Sequence, residues 1–144
     1  MNRQQVRTLV KSAANNLNAE FNSGRVSEFN SEANKKYPYI WLESVKADTR
    51  LSPIQLPVDT WKCVIHVVKL DSAGSLPEQY EDIVDECDTI ARKLIRLINQ
   101  EISGYKLITL SSISREPSIH KLADNTTGVI LSFDLNAPDT EDIC

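Results

Sequence analysis

Apolar residues recur at helical spacing in two stretches and at strand spacing in four others, and their order along the chain predicts α-β-β-α-β-β. Between Asn2 and Phe21, residues Val6, Leu9, Val10, Ala13, Leu17 and Phe21 fall on one stripe, because positions three and four apart share a helix face. Gly24 is placed to stop that helix. Tyr37 to Lys46 begins Tyr-Pro-Tyr-Ile-Trp-Leu, where aromatic and branched residues suit a pleated surface and Pro38 restricts the segment to a strand start or a sheet edge. Tyr37, Tyr39 and Trp41 then share a face. Trp61 to Leu70 is the strongest strand signal: Trp61, Cys63, Ile65 and Val67 line one side, while Val64, Val68 and Leu70 make the other largely apolar too. Two apolar sides predict a central strand covered on both.

Ser75-Leu76-Pro77-Glu78 has the spacing of a capping box, so the second helix is predicted to start there. Its stripe runs through Tyr80, Ile83, Val84, Cys87, Ile90, Ala91, Leu94, Ile95 and Ile98 toward Ile102, with Gly104 placed as the C-terminal cap. Acidic residues in the first half and Arg92, Lys93 and Arg96 in the second complement the helix dipole. Tyr105 to Ile113 and Thr127 to Leu135 supply the last two strands, with Arg115 to Asn125 as their loop. The expected fold is α+β: a mostly antiparallel four-stranded sheet packed with two helices. Its core is expected to include Leu9, Ala13, Leu17, Trp61, Cys63, Ile65, Val67, Ile83, Cys87, Ile90, Leu94, Val129, Leu131 and Phe133.

Residues 1–138 read as one domain. Two polar, arm-like loops interrupt it, 22–36 and 47–58. The second is hairpin-like or extended because it holds two prolines, and it has room for a short strand from Leu51 to Leu56. The tail at 139–144 is acidic and is expected to order only against a partner.

Composition narrows the function classes. Charged residues at 25% and hydrophobic ones at 41% describe a chain that folds. A net charge of −4 works against a broad nucleic-acid footprint, which needs clustered Lys and Arg. The N-terminal segment has neither a signal-peptide core nor a spanning apolar run, so a protein made in the cytosol, with no membrane partner, is expected.

Candidate chemistry is sparse. Cys63, Cys87 and Cys144 are far apart without metal-ligand spacing, and the first two read as small buried hydrophobes. His66 lies in a strand and His120 in a loop, each without a neighbour in sequence suited to a triad or metal site. Glu81, Asp82, Asp85, Glu86 and Asp88 read as a solvated helix face. Gly24, Gly74, Gly104 and Gly128 stand singly, at caps or turns, and form no phosphate loop. No catalytic, cofactor-binding or metal-ligating residue is assigned, and the expected protein is not an enzyme. Phe29, Tyr37, Tyr39, Trp41, Leu51, Ile54 and Leu56 are the candidates for a subunit interface, because aromatics on the strand and apolar residues in the loops suit protein contact. Two competing readings remain: a small enzyme using His66, Cys63 and Asp71, and a single-stranded nucleic-acid binder stacking bases on Tyr37, Tyr39 and Trp41.

Three segments carry a resemblance: Lys36-Tyr37-Pro38-Tyr39-Ile40-Trp41-Leu42-Glu43, the helix after Pro77, and Asp124-Asn125-Thr126-Thr127-Gly128-Val129-Ile130-Leu131-Ser132-Phe133-Asp134-Leu135. With the element order they make the chain resemble the tail-terminator and neck, or head-to-tail connector, proteins of tailed bacteriophages. The closing strand and the Asp-Ile-Cys end are similar to structural proteins of phages infecting Bacteroidetes. The resemblance implies a virion protein, assembled in the host cytoplasm, that forms a homo-oligomeric ring. A hexamer is favoured by tail-tube symmetry, with a dodecamer as the neck-ring alternative. It implies portal, neck or tail-tube proteins as neighbours, and DNA that passes through the lumen without specific binding.

Overall fold

The computed structural model describes the chain except for residues 26, 27, 30–37, 52, 55, 56, 72–76, 105–107, 121, 123–125 and 139–144. Among the described residues it contains α1 (Arg3–Asn16), β1 (Glu20–Ser23), β2 (Tyr39–Leu51), β3 (Pro57–Leu70), α2 (Pro77–Ile102), β4 (Thr109–Ile119) and β5 (Thr126–Pro138). The strands form one sheet in the order β1-β2-β3-β5-β4, with β1 parallel to β2 and every other pair antiparallel. The expected α+β class holds. The expected four-stranded sheet gains a fifth, parallel strand.

That extra strand exists because α1 stops sooner than its apolar stripe suggests. The helix starts with a capping box in which the Asn2 side chain accepts from the Gln5 amide and the Gln5 side chain accepts from the Asn2 amide, both at 2.8 Å. It stops at a left-handed residue, Asn18 (φ +55°). The Asn18 amide donates to the Asn15 carbonyl and the Ala19 amide to the Ala14 carbonyl, so Asn18 does the work expected of Gly24. Phe21 therefore leaves the predicted helix and enters β1.

β3 lies at the centre, as its two apolar sides predict. Trp61, Cys63, Ile65 and Val67 join Val129, Leu131, Phe133 and Leu135 of β5 against both helices, which cover the same face of the sheet. Val6, Val10 and Ala13 of α1 and Cys87, Ala91, Leu94 and Ile98 of α2 close that core, while Leu9, Leu17, Ile83 and Ile90 pack at its margin. Pro77 opens α2 in the one turn where a missing N–H leaves no helical bond unmade. The proposed capping residue Ser75 lies outside the described residues. At the other end Gly104 has no left-handed conformation, and the Ser103 hydroxyl donates to the Gln100 carbonyl at 2.6 Å.

β4 runs six residues past the expected end at Ile113. An irregularity between Ser111 and Ser114, with Ser112 at φ +54°, absorbs a misfit and pairing resumes with Ser114 opposite Ser132. Pro117 is tolerated because β4 is an edge strand.

Gly128, read from sequence as a turn residue, sits inside β5 opposite Val68. A Cβ there would collide with the Val67 carbonyl oxygen, whereas one at Gly104 would meet only the Glu101 carbonyl at 3.8 Å. Gly128→Ala is expected to lower unfolding free energy by more than about 2 kcal/mol. Gly104→Ala should change it by less than about 1 kcal/mol. Urea titration of the two variants measures both.

Candidate functional site

On the sheet face away from the helices, Phe29, Tyr39, Trp41, Val68 and Leu122 form a second, smaller buried cluster. The Phe29 ring stands edge-on to Tyr39 and to Trp41, both at 5.3 Å between centroids, and the Trp41 indole donates to the Gly24 carbonyl at 3.0 Å. Three of the expected interface residues are thus spent inside the subunit: Tyr39 and Trp41 are each only 3% exposed and Phe29 8%. The expected face-sharing of Tyr39 and Trp41 is observed, but neither ring is open for stacking a base. Tyr37 lies outside the described residues, as does Leu56.

Next to this cluster, a bulge in β2 places Glu43 between Leu42, opposite Ile65, and Ser44, opposite Val64. The extra residue turns its carboxylate toward His66, whose Nε2 lies 2.7 Å from Oε2. His66 Nδ1 is buried without a hydrogen-bond partner among the described residues. The ring is held and shut in, so it has no surface on which to meet a substrate.

The second histidine pair lies at one end of the sheet. Asp71, just past β3, accepts from His120 Nε2 at 2.9 Å and from the Thr127 hydroxyl at the start of β5. The Asp71 side chain is 1% exposed and that of His120 37%. The Tyr80 ring of α2 meets His120 edge-on at 5.4 Å. A buried carboxylate behind a half-open imidazole orients it as an acid or base. Yet the aliphatic hydroxyl of this group, that of Thr127, is already donated to the same carboxylate. The evident work of the group is to tie the ends of β3, β4 and β5 together.

The constellation of the competing enzyme reading, His66, Cys63 and Asp71, is not brought together. Cys63 packs with the helices while His66 lies on the opposite face, since alternate residues of β3 point to opposite sides. Asp71 serves His120 instead. Burial, then the charge of Asp134, pushes the Cys63 thiol up to about 12. Burial above all, with smaller opposing effects of Lys69 and Glu86, pushes Cys87 up to about 12. Neither thiol is a thiolate at neutral pH. On α2, Glu86 pairs with Lys69 of β3, and Asp88 with Arg92 at 3.0 Å and with Arg115 of β4 at 3.2 Å. Part of the expected solvated acidic face therefore clamps helix to sheet.

Two surface features complete the picture. The β2–β3 ladder continues to Leu51 opposite Pro57, so most of the arm-like loop expected at 47–58 is strand within the sheet: Ala47 packs against the core and β5 pairs with β3 as far as Val58. At the hairpin's tip Leu51 is 61% and Ile54 74% exposed. Between α1 and the end of α2 runs a groove of about 640 Å³, with apolar lining from Met1, Leu9, Ile102 and Ile108. On it the Ser12 hydroxyl donates to Glu101 at 2.7 Å. Glu43 and this groove were invisible to sequence reasoning: a bulge leaves no periodic signal, and the groove depends on where two distant helix ends meet.

No protein-family model matches this chain, and no curated protein matches it.

Asp71→Ala strands a buried threonine hydroxyl and an imidazole N–H, and is expected to cost about 1–3 kcal/mol of stability in urea titration. The thiols give a pH signature. Folded Cys63 and Cys87 keep their protons from the ordinary 9.0 up to about 12, so across that window the unfolded chain binds fewer protons. Stability therefore falls as pH rises, by up to about 1.4 kcal/mol per pH unit for each thiol. Denaturation curves between pH 8 and pH 11 should show this decline, shallower in Cys87→Ala, with no native labelling of either thiol at pH 8.

Proposed function

We propose that this chain is a non-enzymatic structural protein of a tailed-phage virion, a ring-forming tail terminator or neck component that joins the tail tube to the head connector. The observation that carries this reading is the β2–β3 hairpin, which exposes Leu51 and Ile54 beyond the last β3–β5 pair, Val58 opposite Pro138. Those two side chains add nothing to the subunit's own core. That exposure suits a ring, in which one surface of each subunit meets a different surface of the next and the rotation closes.

The remaining features fit the same task. Glu81, Asp82 and Asp85 are exposed along the first half of α2, and the net charge is −4, which suits a duplex that must slide through a lumen without sticking. Among the described residues no helix is long and apolar enough to cross a membrane. A virion location, with assembly in the host cytoplasm and portal, neck or tail-tube proteins as neighbours, follows from this reading. Six subunits match a tail tube, and twelve a neck ring.

A small enzyme is the competing reading, and it has one observation in its favour, the buried Asp71 behind His120. A base-stacking protein has lost its platform, since Tyr39 and Trp41 are buried.

The native mass of the purified protein, followed by negative-stain imaging, tests the proposal. A closed ring of six or twelve copies is the expected result. A chain that stays monomeric at every concentration and forms no ring with tail or portal proteins would overturn it.

A further inference from the structure

The far half of β2 is an open ladder edge whose chemistry is self-complementary. β1 pairs only with residues 39–42, so over residues 44–51 the strand bonds to β3 on one side and, among the described residues, to no strand on the other. The Leu42 carbonyl accepts from the Gly24 amide and thus points away from β3. The bulge at Glu43 shifts the alternation by one residue, so Val45, Ala47 and Thr49 turn their amides and carbonyls outward. In keeping with this, Arg3 Nε donates to the Val45 carbonyl at 3.3 Å. That exposed arginine is the edge's one guard among the described residues, and the carbonyl keeps a second lone pair for an incoming amide.

The side chains along this edge specify what pairs there. Lys46, Asp48 and Arg50 are exposed on the face away from the helices, while Val45 and Ala47 pack at the margin of the core on the other. Lys46 stands directly opposite Lys62 of β3, a repulsive pair, and Lys62 bridges instead to Asp48 at 3.3 Å. A second copy of the same edge, laid antiparallel about a two-fold axis through Ala47, supplies the anion that Lys46 lacks among the described residues. Lys46 of each copy then lies opposite Asp48 of the other, Val45 opposite Thr49 and Ser44 opposite Arg50. Outward groups meet outward groups, which makes about six backbone hydrogen bonds. Sliding by two residues one way puts Asp48 opposite Asp48 and Lys46 opposite Arg50, and sliding the other way puts Lys46 opposite Lys46. One register alone satisfies both backbone and charge, and the strand that provides it is this strand.

We propose that two copies join through residues 44–50 of their β2 strands, antiparallel about Ala47, merging their sheets into one. The contact is isologous, the same surface serving on both subunits. It goes beyond the ring reading and does not depend on it: a ring needs a second, heterologous contact, and a chain with both would stack two rings back to back.

Sedimentation of the full-length chain and three variants tests it. The wild type should dimerise with a Kd of about 1–100 µM. Lys46→Asp sets Asp against Asp48 on both sides of the axis, and Asp48→Lys sets Lys against Lys46, so each should weaken self-association at least about tenfold. Mixed together, these two variants present only opposite charges to each other and should form a heterodimer as tight as the wild type. Ala47→Pro removes an outward amide that β3 does not use, so the wild-type circular dichroism should persist while dimerisation falls at least ~100-fold. If Ala47→Pro fails to fold, the charge variants decide, because positions 46 and 48 are exposed. Variants that self-associate like the wild type, or charge variants that form no heterodimer when mixed, would overturn the edge pairing and leave the ring reading standing. A wild-type chain monomeric at every concentration would overturn it as well. A dimer that forms no ring, alone or with tail and portal proteins, would uphold the pairing and overturn the ring.

Discussion

Everything in this fold hangs on β3 being apolar on both sides of its pleat. A strand of that kind has no face to give to water, so it must be paired along both edges and covered above and below. Pairing with β2 and β5 satisfies the edges, and α1 and α2 cover the side bearing Trp61, Cys63, Ile65 and Val67. The other side of β3 receives the Phe29, Tyr39 and Trp41 cluster over Val68. Because both helices are committed to one side, that cover is local, and Val64 and Leu70 on the same side of β3 lie outside it. The two apolar clusters and the single-sided helix layer are consequences of one strand.

Much of this was legible in the sequence, and the parts that were not share a physical cause. Period-2 and period-3.6 patterns report which face a residue occupies, so the two helices, the central place of β3 and most of the core were readable from Ile65, Leu94 or Phe133 alone. What periodicity does not report is where a pattern breaks. Asn18 ends α1 through a left-handed turn that any single asparagine can make or decline. The irregularity at Ser112 carries β4 on through Pro117 where a sequence reading stops. The five-stranded sheet follows from the first of these breaks.

The candidate sites divide along the same line. Side chains matched by one strand's own alternation were partly predictable: Tyr39 and Trp41 do share a face, although they spend it inside the subunit. Side chains matched across elements were not. Asp71 meets His120 and Thr127 only because the ends of β3, β4 and β5 converge, and Glu43 meets His66 only because of a one-residue bulge. The hairpin is the intermediate case, since Pro53 and Pro57 announced an excursion but not its length or the exposure of its tip.

The sheet's two outer strands have a further consequence. β1 is four residues long, and β4 is interrupted at Ser112 and carries Pro117, which has no N–H to offer a newcomer. β4 therefore lacks the long, flat row of free amides and carbonyls on which fibres nucleate, whereas β1 pairs only with Tyr39 to Leu42 and leaves β2 from Ser44 to Leu51 as the edge on the other side among the described residues. Backbone-on-backbone stacking is thus hindered at β4, and an incoming strand finds its open ladder along β2 instead.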